Sequence, residues 1–108
     1  MAKLVHTLRE DFDAIINKIE NGILNGSMTA SLEEGWDVKN EHSRCSVRVF
    51  ERYSYLGSNR VSMSVTLYQD NDGPVQLCAI TSGGSQAMFY KVNTFGEESF
   101  LDTLREIL

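Results

Sequence analysis

Proline occurs once in this chain and cysteine twice, and no stretch approaches the ~20 consecutive apolar residues that cross a bilayer. Each scarcity removes a class of protein. One proline beside 42% apolar residues argues against long disorder. Two cysteines, Cys45 and Cys78, cannot supply a disulfide framework, and in a reducing compartment they are expected as small core residues. Positive charge is also in short supply, with 10 Lys and Arg against 15 Asp and Glu and a net charge of −5. General binding to nucleic acid or to an anionic membrane needs a positive surface, so neither is expected. The two histidines, His6 and His42, lack neighbours at metal-ligand spacing, which leaves no zinc site to propose. No extended apolar core opens the chain, because Arg9, Glu10 and Asp11 follow Leu8 at once; a cytoplasmic location is the expectation.

What is present is patterning. A chain of 108 residues makes one domain, residues 1–108, and folding buries roughly two-thirds of its unfolded surface. Thr7-Leu8-Arg9-Glu10 has the form of a capping box. Leu8, Phe12, Ile15, Ile16, Ile19 and Ile23 follow at helical spacing, with Gly22 or Gly26 as the stop. Residues 27–32 alternate and predict a short strand, with 33–42 as a loop or irregular extension of it. Cys45, Val47 and Val49, continued by Tyr53 and Tyr55, then Val61, Met63, Val65 and Leu67, recur at every second position. They predict two half-buried strands, about 43–56 and 60–69. A three-residue turn at 57–59 would keep both apolar sets on one face and set Tyr55 against Val61.

Asp70-Asn71-Asp72-Gly73-Pro74 reads as a turn, and a five-residue connection pairs Leu67 with Leu77 and Val65 with Ala79. As a calcium loop it fails, since its twelfth position is Thr81. Ser82-Gly83-Gly84-Ser85 offers a hairpin turn into a further strand carrying Met88, Tyr90 and Val92, and it lacks the Lys of a phosphate loop. Thr94-Phe95-Gly96-Glu97 is a second capping-box pattern opening a helix through Phe100, Leu101 and Leu104. Gly96, costly in a first helical turn, suggests close approach of another chain segment. The expected fold is α+β in two layers: an N-terminal helix, a four- or five-stranded antiparallel meander and a C-terminal helix.

By this register Cys45 faces the helices and Cys78 the opposite side, so the two cannot pair. That opposite face would carry Arg44, Arg48 and Arg52 at every fourth position with Phe50 between them, then Tyr68, Cys78, Ile80 and Phe89. One reading is plain solvation, with the arginines paired to Glu33, Glu34 or Asp70. The sharper reading is a binding surface of Arg48, Phe50, Arg52, Tyr68 and Phe89, with arginine forks for an anionic group beside an apolar floor. A homodimer would use the same residues. Glu51 shares parity with Val49 and Tyr53; buried beneath the helices, it would be a candidate general acid or base with Tyr53 as its partner.

The run Glu51-Arg52-Tyr53-Ser54-Tyr55, the turn exit Asn59-Arg60-Val61-Ser62, and the segment from Ser82-Gly83-Gly84-Ser85-Gln86 to Phe95-Gly96-Glu97-Glu98-Ser99-Phe100-Leu101 resemble a family of small bacterial proteins of unknown function, over nearly the whole chain. The resemblance implies a bacterial cytosolic protein and supplies no catalytic residue or cofactor. The functional expectation is a binding or protein-interaction module, partnered by a second copy, another protein or a small anionic ligand. The alternative is a small enzyme with a Glu51 and tyrosine pocket.

Overall fold

The computed structural model describes residues 1–54, 59–83 and 90–108, without the side chains of 90–94. The elements run β1 (Ala2–Leu8), α1 (Phe12–Gly26), β2 (Ser31–Lys39), β3 (Ser43–Ser54), β4 (Asn59–Asp70), β5 (Val75–Gly83) and α2 (Tyr90–Ile107). The strands form one antiparallel sheet in the order β1-β5-β4-β3-β2. The fold is thus α+β: a meander from β2 to β5, one added edge strand, and both helices on one face of the sheet.

Helix α1 follows its apolar stripe, burying Phe12, Ile15, Ile19 and Ile23. Its cap is Asp11, whose side chain accepts from the Ala14 amide at 3.0 Å. The expected cap at Thr7 is corrected: Thr7 lies in β1, which alternates Ala2, Leu4 and Leu8 inward and pairs with β5. Strand β2 extends through residues read as an irregular extension, with Glu33 the extra residue of a bulge against β3. Leu67 pairs with Leu77 and Val65 with Ala79, as the turn at 70–74 predicts.

Two expectations of register do not hold. Ser54 pairs with Asn59, leaving four residues between the strands instead of three. One extra residue inverts the parity of β3 against β4, so Phe50 stands opposite Met63 and Val49 opposite Ser64. The even-numbered residues of β3 therefore face the helices with Val61, Met63, Val65 and Leu67, while Cys45, Val47 and Val49 face away. Cys45 is corrected to the same face as Cys78, and both are free thiols. The second difference concerns the strand after Gly83. Ala79 and Leu77 pair with Leu4 and His6 of β1, not with Met88 and Tyr90. Tyr90 and Val92 belong to α2, and residues 84–89 lie outside the described residues.

The core sits between sheet and helices, with Phe50, Met63, Leu67 and Leu77 against Ile15, Ile19, Phe100 and Leu104, all at most 1% exposed. Close packing of α2 rests on Gly96, where a Cβ would stand 2.6 Å from Ser54 Oγ. This is the close approach the sequence suggests.

Candidate functional site

The arginines of β3 project toward the helices, so they are not an open binding row. A strand residue and its fourth neighbour share a face about 13 Å apart, and Arg44, Arg48 and Arg52 use that spacing to tie down separate parts of the fold. Arg44 meets Asp13 of α1 at 2.8 Å and lies over the Phe12 ring at 3.9 Å. Its hydrogen bond and charge lower the Asp13 pKa. Arg48 reaches Glu20 of α1 at 3.4 Å and Asp37 of β2 at 3.0 Å. The missing side chain of Gly35 makes room for it: a Cβ there would stand 3.2 Å from Arg48 Cδ. Asp37 is held below the usual aspartate value by its bond from Ser46 and then by Arg48. The long arginine stems fill the helix face while their charged heads reach its margins.

Arg52 differs from the other two. It donates to Thr103 Oγ1 at 3.1 Å and to Ser99 Oγ at 3.0 Å, with its guanidinium 4.4 Å from the Phe100 ring centre. Burial lowers its pKa. No carboxylate partners it among the described residues, and the undescribed segments contain no Asp or Glu.

The five residues expected on one binding face are therefore separated. Arg48 and Arg52 lie on the helix side, and Phe50 between them is fully buried. Tyr68 is on the opposite face and 44% exposed, and Phe89 falls outside the described residues. Glu51 does not lie beneath the helices. The same inversion of parity turns it to the opposite face, where Arg60 pairs with it at 2.6 Å and is itself raised in pKa by the contact. Tyr53 lies there too, beside the Arg60 guanidinium at 5.4 Å.

Nothing packs on that opposite face among the described residues. Among the described residues both helices pack on the other side, and the open face is built from cross-strand rows. One row runs Val5–Cys78–Thr66–Val47–Trp36 across all five strands. Its neighbours are Lys3–Ile80–Ser64–Val49–Glu34 and Thr7–Gln76–Tyr68–Cys45–Val38. Trp36 is 60% exposed, Val5 61%, Val38 43% and Ile80 41%. Exposed apolar residues are unremarkable singly; here they gather toward the two edges of one sheet face, with the hydroxyls of Ser64 and Thr66 between them.

Reading the residues alone missed this site because it rested on the wrong parity for β3. No local signal separates the two parities of β3, since Val47 and Val49 on one and Phe50 on the other are all apolar. Glu97 was also missed. It is 5% exposed, accepts from the Gly83 amide at 2.9 Å and lies 2.9 Å from the Met1 amino group. Among the described residues no three His, Cys, Asp or Glu side chains converge as metal ligands, and no helix is long and apolar enough to cross a membrane.

Comparison with known proteins gives one match. The profile of a family of unknown function, DUF6054, matches residues 1–108. No curated protein and no solved structure matches the chain.

Proposed function

The chain belongs to DUF6054, a family described only as of unknown function, and from the geometry we propose a small cytoplasmic protein-interaction module that binds through the open face of its sheet. The observation that carries this reading is the row from Val5 to Trp36, apolar at both ends, on a sheet whose other face is already filled by both helices. Two free thiols on that face suit a reducing compartment. Catalysis by Glu51 has less support, because its carboxylate is engaged by Arg60.

Photo-crosslinking tests the reading. A photoreactive phenylalanine analogue at Thr66, the centre of the open face, should yield a crosslinked polypeptide adduct in cells expressing the protein. The same group at Asn17, exposed on α1, should not. An adduct from Asn17 alone, or none from Thr66, contradicts the proposal.

Arg52 supports a second reading, a small anionic ligand. Among the described residues its guanidinium hydrogen-bonds only hydroxyls, and it borders an open cleft of about 460 Å³ that Ser27, Thr29 and Ser99 also line. Desolvated guanidinium groups favour oxyanions. Inorganic phosphate titrated at millimolar concentration should shift the amide resonances of Ser99 and Thr29, and Arg52→Gln should remove those shifts. Identical shifts in the variant would rule the site out.

A further inference from the structure

The cleft beside Arg52 is walled by the end of α1 with residues 27–29, by the end of β3, and by α2 at Ser99. The Phe100 ring covers one face of the guanidinium at 4.4 Å, and Thr103 and Ser99 take part of its donor capacity. Its remaining N–H groups bond nothing among the described residues. Ser99 Oγ accepts from Arg52, and no described acceptor takes the Ser99 proton. Ser27 Oγ and Thr29 Oγ1 share a single hydrogen bond at 3.2 Å, which leaves one hydroxyl proton of the pair free. Unspent donors from separate elements therefore border one cleft, and among the described residues no carboxylate lines it. The carboxylates of Glu98 and Asp102, neighbours of Ser99 on α2, are held by Arg105.

Met28 lines the same cleft and is fully exposed. The turn that holds it out is well fastened. Thr29 N donates to Ser27 Oγ at 3.3 Å, Ala30 N to Ser27 O at 3.3 Å, and Tyr53 N to Thr29 Oγ1 at 3.1 Å. The thioether buries nothing against its own chain, and such an unbranched side chain adapts to apolar groups of varied shape.

From these unspent donors beside an exposed thioether we infer that the cleft takes a small phosphate monoester. Its phosphate sits on Arg52, Ser99 and the Ser27–Thr29 pair, and its organic group lies against Met28. The inference rests on the anionic-ligand reading above and names the class of ligand. Two features select that class. Donors reach the cleft from α2, β3 and the turn after α1, and a tetrahedral phosphate offers three strong acceptor oxygens where a planar carboxylate offers two. A cleft of about 460 Å³ also falls in the ~300–1,000 Å³ range of sites for organic ligands, so a bare ion leaves most of it unfilled. An organic group takes up that space and removes the Met28 side chain from water, a favourable transfer.

Phenyl phosphate, inorganic phosphate and benzoate, each titrated into the protein and followed at the Ser99 and Thr29 amide resonances, test this. Phenyl phosphate should bind roughly tenfold tighter than inorganic phosphate, through contact of its ring with the thioether, and tighter than benzoate. Met28→Ser should bring phenyl phosphate down to the affinity of inorganic phosphate and leave the latter unchanged. Met28 is fully exposed, so urea unfolding of the variant should match the wild type. Phenyl phosphate no tighter than inorganic phosphate, or a Met28→Ser variant that keeps the difference, overturns the organic subsite while the anion reading stands. Benzoate binding as tightly as phenyl phosphate overturns the choice of phosphate. No shift with either phosphate overturns the inference together with the anion reading beneath it.

Discussion

Gly96 shows how one missing methyl group positions a helix. Its Cα faces Ser54 so closely that an added Cβ would lie 2.6 Å from the hydroxyl, 3.1 Å from Ser54 Cβ and 3.3 Å from Val61 Cγ2. Alanine is the better helix former by about 1 kcal/mol, yet overpacking a filled core costs about 1–3 kcal/mol. The second effect wins here because Ser54, at the end of β3, and Val61, on β4, are both buried. Gly96→Ala should therefore lower the unfolding free energy measured in urea, by roughly 1 kcal/mol or somewhat more; a raised value would show that the helix has room. The sequence flagged Gly96 by its position in a helix, but no local pattern could name Ser54, 42 positions earlier, as its neighbour. Glu97 escaped notice for a similar reason. A glutamate beginning a helical stretch reads as a cap, and only the pairing of β1 with β5 brings Met1 and Gly83 to it.

At the scale of elements, most strands and both helices were legible, and the orientation of β3 was not. Strand β4 has one apolar parity and the regular alternation of its burial follows it. Strand β3 has two usable parities: Cys45, Val47 and Val49 on one side, Phe50 with three long arginine stems on the other. The number of residues between Ser54 and Asn59 decides between them, and composition does not fix that number. Once the arginines turn inward they become the fastening of α1 and β2, and this has a pH consequence. Asp13 and Asp37 have folded-state pKa values below those of free aspartate, through Arg44 in the first case and Ser46 with Arg48 in the second. The unfolded chain then binds more protons than the folded one in the acid range, so stability rises with pH there. The contribution is complete above the unfolded value of about 3.9 and is lost as pH falls through the lower folded values. Urea unfolding between about pH 6 and about pH 2 should show this loss, and Asp37→Asn should reduce its amplitude. An unchanged amplitude in the variant would remove Asp37 from the fastening.

For the whole molecule, the consequence of the β3 inversion is a two-layer fold whose described helices both pack on one side of the sheet. Its helix face is filled by Phe50, the β4 residues and both helices, and its other face presents Trp36, Val38, Tyr68, Ile80 and Val5 to solvent. The residues expected together on the face opposite the helices are only partly there: Tyr68 lies on it, and Arg48, Phe50 and Arg52 do not. The most direct measurement is photo-crosslinking from Thr66, at the centre of the open face, in cells expressing the protein. The account predicts a polypeptide adduct from Thr66 and none from Asn17, exposed on α1. An adduct from Asn17 alone, or none from Thr66, would contradict it.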